Sequence, residues 1–371
     1  MPPFFAGDYM KPIGLYIHIP FCNGKCPYCD FYSVSPDSKT VADYVDALCR
    51  EIDKSDGIYD TVYFGGGTPS LIGAENIAKI MSHIRRTANC EATLECNPSD
   101  TGSVNSQFDF ETVAKSGINR ISMGLQSSDN SERAALGRRG GCDDVERAIK
   151  KAKAAGITNI SLDLMLGIPN QTTKSLRESI RFCKEMNAEH ISAYILKIEE
   201  DTPFYQRKNS LVLPDEDETC DLYLYAVAEL EKAGYYQYEI SNFSHKEFES
   251  KHNLKYWHCE EYLGLGASAH SFVNGKRFYY ERSIDGFIGG ASPVDDGDGG
   301  GEEEYIMLAL RLTEGLVFDE FQKRFGHPIS DSTIKKAKEL EKHGLVAVTD
   351  KAVSITPKGF LVSNSIISSI I

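Results

Sequence analysis

The sequence predicts an α/β fold, a partial (β/α)6 barrel followed by a small α+β C-terminal domain whose order of elements resembles a winged helix. Three observations carry this. Six short apolar runs alternate with stretches of helical periodicity along the first half of the chain, as successive β/α units of a parallel sheet do. Several of those runs place apolar residues on one face only, which suits a curled sheet with a polar interior better than a flat sheet covered on both sides. The 371 residues also exceed the roughly 200–250 of an undivided α/β barrel, leaving room for smaller additions.

Taken in order, strands are expected at 14–19, 61–65, 92–96, 120–125, 159–166 and 190–196, with helices at 41–54, 74–86, 110–116, 143–155 and 173–186. In the fifth strand Ile160, Leu162, Leu164 and Leu166 share one face, while Asn159, Ser161, Asp163 and Met165 share the other. The same split sets Leu15, Ile17 and Ile19 against Tyr16 and His18, and Ile121, Met123 and Leu125 against Ser122, Gly124 and Gln126. Buried polar groups need partners, so a polar lumen implies that water or a cofactor fills it.

Beyond the sixth strand, 215–232 reads as a helix and 235–240 as an aromatic strand. Residues 286–304 are rich in Gly, Asp and Glu and are expected to form a flexible link. The chain thus divides into a lead (1–12), the barrel (13–214), an extension (215–285), the link (286–304) and a C-terminal domain (305–371). That domain is expected to contain a helix at 331–343, a strand at 345–349, a turn, a strand at 352–356 and a closing helix. Its Lys335, Lys336, Lys338 and Lys342 suit either nucleic acid or a solvated face. The net charge of −14 favours the solvated face and argues against nucleic acid as a partner.

The composition, 41% hydrophobic and 25% charged, is that of a soluble globular protein. The start lacks the basic and apolar regions of a secretory signal, and no apolar run reaches the roughly 20 residues of a membrane helix. The expected address is therefore cytoplasmic, where ten cysteines stay reduced and a cluster of them points to metal before disulfide.

Cys22, Cys26 and Cys29 follow the first strand at the end of a barrel where chemistry is normally carried. Three thiolates this close can hold three irons of a cubane, leaving the fourth iron open to a substrate. The alternatives are a zinc site completed by a distant residue such as His18 or Cys96, within a structural or nucleic-acid module, or three unrelated buried cysteines. Phe64-Gly65-Gly66-Gly67-Thr68-Pro69 follows the second strand and reads as either a tight βα turn or a loop offering bare backbone to a ligand. Glu95, Gln126 and Asp163 have the inward parity near strand ends. They suit an internal hydrogen-bond network or, together, the amine, carboxylate and ribose of a nucleoside-linked amino acid.

These residues resemble the radical S-adenosylmethionine (SAM) superfamily, whose C-x3-C-x-aromatic-C motif stands here as Cys22, Cys26, Tyr28 and Cys29. Within it the chain is similar, over nearly its full length, to the coproporphyrinogen III dehydrogenase (HemN/HemW-type) family. The resemblance implies a [4Fe-4S] cluster on the three cysteines. It also implies a SAM site in which Tyr16 and Tyr28 flank the ligand, Gly66, Gly67 and Thr68 hold its methionine part, and Glu95, Gln126, Arg138 and Asp163 bind the rest. Porphyrinogen-oxidising members carry an N-terminal extension and a fourth cysteine two positions after the third. Here the barrel is expected to begin almost at once, and that position is Phe31. The heme chaperone branch shows Cys-Asp-Phe and His-Asn-x-x-Tyr-Trp, present as Cys29-Asp30-Phe31 and His252-Asn253-Leu254-Lys255-Tyr256-Trp257. Gly140 replaces a histidine frequent in the family, so no role is carried over there.

The resemblance therefore implies a heme chaperone with heme as cargo, a reductant for the cluster and an acceptor hemoprotein as partners. The competing expectation is an oxygen-independent oxidase acting on the porphyrinogen. His252, Tyr256 and Trp257 suit heme contacts, by imidazole ligation and ring packing, and equally suit a loop anchor in which the sole Trp fills an apolar gap.

Overall fold

The computed structural model describes residues 11–371; the expected lead 1–12 lies, but for its last two residues, outside the described residues. Six parallel strands form the centre: β1 (Ile13–Ile19), β2 (Tyr59–Gly66), β3 (Arg86–Cys96), β4 (Arg120–Gln126), β5 (Asn159–Leu166) and β6 (His190–Ile195), each paired with the next in chain order. Their apolar parity is fully buried, with Leu15, Ile17, Ile121, Met123, Ile160 and Leu162 all at 0% exposure beneath the covering helices. The other parity faces the lumen. The expected strand and helix positions of the barrel hold, with one shift. The helix expected over 74–86 ends at Ser82, and β3 begins at Arg86, because only Tyr59 of β2 pairs with that first stretch.

The sheet does not close on itself; it continues at both edges. Beyond β6 comes a hairpin of β8 (Asn242–Ser244) and β7 (Tyr236–Gln237), antiparallel, in place of the single strand expected over 235–240. Beyond β1 come β9 (Tyr262–Leu265), β10 (His270–Val273), β11 (Lys276–Tyr279) and β12 (Val294–Asp298), giving twelve strands among the described residues. Strand β12 lies inside 286–304, the stretch expected to be a flexible link. Its acidic residues give no strand signal, and the pairing comes from outside: Phe278 sits opposite Asp295, and Lys276 forms an ion pair with Asp298.

The last part of the chain has helices Phe318–Phe325 and Asp331–Glu341. A three-stranded antiparallel sheet (Leu316–Val317, Ala352–Ile355, Val346–Val348) and the closing helix Ser363–Ile370 complete it, matching the winged-helix order. No helix of the described residues is long and apolar enough to cross a membrane.

Candidate active site in the barrel mouth

The chain leaves β1 through Pro20 and enters a loop tied at its base. Cys22 N–H donates to Val34 C=O at 2.9 Å and Val34 N–H donates to Pro20 C=O at 2.9 Å, so the segment bearing the three cysteines starts and ends at one place. Phe21, fully buried, anchors that base edge-on against Tyr44 at 5.4 Å, and the Tyr44 hydroxyl donates to His18 C=O. The glycine loop after β2 is laced to the same base. Gly67 N–H donates to Ile19 C=O at 2.9 Å and Thr68 N–H to Phe21 C=O at 2.7 Å. A Cβ on Gly67 would stand 2.4 Å from the Phe21 carbonyl oxygen, and one on Gly66, at φ +114°, would stand 2.7 Å from the His18 ring. The two glycines are therefore required for loop-on-loop contact before any ligand is considered.

A cavity of about 410 Å³ opens beneath these loops. Its wall holds Cys22, Cys26, Cys29, Tyr28, Gly66, Gly67, Thr68, Glu95, Gln126, Arg138 and Asp163, every residue expected at the cluster and SAM sites except Tyr16. Tyr16 lies behind the wall, its hydroxyl 3.0 Å from His18 Nδ1 and its ring stacked on Tyr63 at 6.3 Å. Two groups approach the thiols: Thr68 Oγ1 at 3.8 Å from Cys22 Sγ, and Arg138 Nη1 at 3.7 Å from Cys26 Sγ. Arg138 also donates to Gly124 C=O at 2.7 Å, and its Nε has no partner. Tyr28 packs edge-on against Phe204 at 6.0 Å within a small second apolar core of Leu136, Met165 and Ile168.

Lower in the cavity, Tyr63 donates to Glu95 at 2.8 Å, and Ser122 lies 3.4 Å from Asp163. Burial raises the Glu95 carboxyl to about 7 and the Asp163 carboxyl to about 6, against which the Tyr63 and Ser192 hydrogen bonds pull only partly. Gln126 adopts φ +67° at a bulge in β4, a left-handed backbone that non-glycine residues take up at a cost.

The residues present fit a polynuclear cluster and a cationic ligand. Three free thiols stand around one side of the cavity. Two buried carboxyls, Glu95 and Asp163, and Arg138 with its unpartnered Nε line the same cavity. Neither His18 nor Cys96 joins the cysteines as a fourth ligand to a single ion: among the described residues no three His, Cys, Asp or Glu side chains are grouped to hold one metal ion.

The His-Asn-x-x-Tyr-Trp motif lies on a helix, Lys251–Trp257, instead of the loop considered from sequence, and its histidine does not reach the cavity. His252, 1% exposed, uses both ring nitrogens: Nδ1 is 2.8 Å from Thr61 Oγ1 and Nε2 is 2.7 Å from the Tyr256 hydroxyl. Its ring stacks on Tyr63 at 5.3 Å, so the motif forms the lumen floor. Trp257 carries the Arg311 guanidinium 4.4 Å over its ring, and its Nε1 has no partner. The motif's contribution to the cavity is Asn253. Sequence reasoning missed Tyr63, Arg120, His190, Ser192 and Tyr194, all of which line the cavity. Extending the inward parity of each strand by one step would have found them.

A parallel barrel whose mouth carries three cysteines and a glycine loop over a polar lumen defines a radical SAM protein. The family model of the Radical SAM superfamily matches residues 16–183, and that of the HemN C-terminal domain matches 303–362. The superfamily implies a [4Fe-4S] cluster and SAM. The chain is 35% identical to the heme chaperone HemW of Bacillus subtilis (strain 168), covering 95% of this chain and 97% of that one. It is also 35% identical to the heme chaperone HemW of Escherichia coli (strain K12), covering 84% and 86%. The chain belongs to the heme chaperone HemW family. Among solved structures it is similar to the coproporphyrinogen III oxidase HemN of Escherichia coli, with a TM-score of 0.81, 21% identity and coverage of 97% of this chain and 90% of that one. That likeness is one of fold.

Proposed function

We propose that this protein holds a [4Fe-4S] cluster on Cys22, Cys26 and Cys29 and SAM in the adjoining cavity, and that it binds heme and passes it to an acceptor hemoprotein. The observation that carries the cofactor part is that one cavity of about 410 Å³ is walled by all three thiols and by Glu95 and Asp163. When bound, cluster and SAM supply reductive cleavage of a sulfonium C–S bond to a 5′-deoxyadenosyl radical. The chain's own residues orient and desolvate. Gly66, Gly67 and Thr68 offer backbone to the methionine part, and Arg138 sets a cation beside Cys26. Gln126 supplies an amide, and Glu95 and Asp163 supply carboxylates to the ammonium and ribose groups. Tyr28 presents its ring to the adenine, and Tyr16 supports Tyr63 from behind.

The heme part rests on the whole-length relationship to heme chaperones. A paired assay on anaerobically reconstituted protein tests it. Stable heme binding without protoporphyrinogen formation supports the chaperone, while turnover of coproporphyrinogen with 5′-deoxyadenosine release replaces it with the oxidase. Axial ligation by His252 would require the hydrogen bond on the ligating nitrogen to break, to Thr61 at Nδ1 or to Tyr256 at Nε2, and the ring to become accessible from its place outside the cavity wall. Heme spectra of the wild type and His252→Ala decide this: an altered axial signature supports ligation, and identical spectra leave His252, Tyr256 and Trp257 as the floor alone.

A further inference from the structure

Arg120 opens β4 at the parity that faces the lumen, level with Thr93 of β3 and Asn159 of β5. It is 2% exposed, among the largest fully buried side chains, and lines the same cavity as Glu95 and Asp163. Its Nε has no hydrogen-bond partner, and among the described residues it forms no direct ion pair. A buried guanidinium that forms no ion pair and leaves its Nε unsatisfied is costly unless a field of opposite charge surrounds it.

Such a field is present. On β3, Glu91 lies below and Glu95 above the level of Arg120, and Asp163 stands on β5. Glu91 and Glu95 are each two residues of strand from the level of Arg120, a rise of about 6–7 Å that an arginine side chain spans; Asp163, level with Gly124, is four residues away, about 13 Å of rise, with its carboxylate turned to Ser122 one step above Arg120 on the same face. Burial pushes up each of the three carboxyls; the Arg120 charge is the leading opposing cause at Glu91, follows the Ser192 hydrogen bond at Asp163, and at Glu95, which the Asp163 charge also raises, adds to the hydrogen bonds from Tyr63 and Gly66. Two further cations act on single members of this set, Lys251 on Glu91 and Arg138 on Asp163, and Arg120 is the one that acts on all three. Tyr63 on β2, Tyr194 at the end of β6 and Tyr238 after β7 are phenols held neutral by burial. His190 on β6 and His252 on the floor helix are kept neutral by burial, reinforced by Arg120 itself. The other cation of the cavity, Arg138, is engaged by Gly124 C=O and Cys26 at the mouth.

We propose that Arg120 is a positioning residue of the SAM site, whose buried guanidinium supplies the counter-charge that keeps Glu95 and Asp163 available as carboxylates to the ligand's ammonium and ribose groups. The inference rests on the SAM reading above and goes beyond it, since Arg120 need not touch the ligand. A guanidinium that merely filled the lumen would, when replaced, alter stability and leave the pH dependence of binding where it was.

The test is equilibrium binding of SAM to the anaerobically reconstituted protein from about pH 5.5 to 8.5, for wild type, R120Q and R120K. In R120Q the pH at which affinity is half lost should rise by about one unit, and affinity at pH 7 should fall about tenfold, with iron content unchanged. R120K, which keeps the charge on a different head, should restore most of the profile. A wild-type profile in R120Q overturns the proposal, whatever happens to its melting temperature. Should R120Q not fold, a profile in R120K shifted upward by less than one unit upholds the proposal, provided the shift is smaller in a Glu95→Gln background; an equal shift in that background refutes it. Failure of the wild type to bind SAM sinks the SAM reading instead. Carboxyl infrared titration of the ligand-free wild type and Arg120 variants then still reads the effect on Glu95 and Asp163, and identical titrations refute it.

Discussion

Replacing Gly67 by alanine should cost the protein its cluster while leaving the barrel folded. The added Cβ would lie 2.4 Å from the Phe21 carbonyl oxygen, where ordinary contacts begin at 3.4 Å, so the glycine loop and the base of the cysteine loop must part by about 1 Å. That movement breaks or stretches the bonds from Gly67 N–H to Ile19 C=O and from Thr68 N–H to Phe21 C=O. Overpacking of this kind and two weakened hydrogen bonds together cost about 2–4 kcal/mol, which lowers the melting temperature by about 5 °C in a chain of this size. The larger effect is local, because the base that moves is the one that positions Cys22. Iron and sulfide per chain after anaerobic reconstitution, with the near-400 nm absorbance, should fall below about half of wild type in Gly67→Ala. Gly141→Ala is the control: its Cβ would meet nothing nearer than 4.0 Å, and it should reconstitute fully. A Gly67→Ala protein that loads iron as well as the control would refute the claim that the two loops are locked together.

Other outcomes follow from the same geometry. Cys22→Ser, Cys26→Ser and Cys29→Ser should each fail to hold the cluster, whereas Cys96→Ala, although it borders the cavity, should keep full iron content and an unchanged EPR spectrum. In the ligand-free protein Glu95 and Asp163 titrate near 7 and 6, above the usual 4.5 and 3.8, so the folded state holds the extra protons. Their contribution to stability is therefore complete below the usual values and is lost as pH rises through 6 and 7. Urea unfolding from pH 4 to 8 should show that fall, at up to about 1.4 kcal/mol per pH unit for each group, and Glu95→Gln with Asp163→Asn should remove it. Thr61→Val leaves His252 Nδ1 buried without a partner and should destabilise by about 1–3 kcal/mol in the same assay.

Much of the barrel was legible because its two faces differ. Ile160, Leu162 and Leu164 alternate with Ser161 and Asp163, and alternation fixes both the strand and which side chains enter the lumen. The three cysteines and the glycine loop were legible through spacing and position after a strand. What escaped depended on partners distant in sequence. Val294–Asp298 is a strand only because β11 runs beside it, and Asn242–Ser244 only because β6 ends at an open edge. The first residues of β3 continue the polar pattern of the preceding helix and change identity by pairing Arg86 with Tyr59. The His-Asn-x-x-Tyr-Trp motif was legible as a motif and not as a floor, since nothing local to it announces Thr61 or Tyr63 as its neighbours.

The stacked rings of Tyr16, Tyr63 and His252 couple β1, β2 and the helix Lys251–Trp257 through one aromatic array, so a substitution at any of the three is felt by the other two and by the carboxyl that Tyr63 holds.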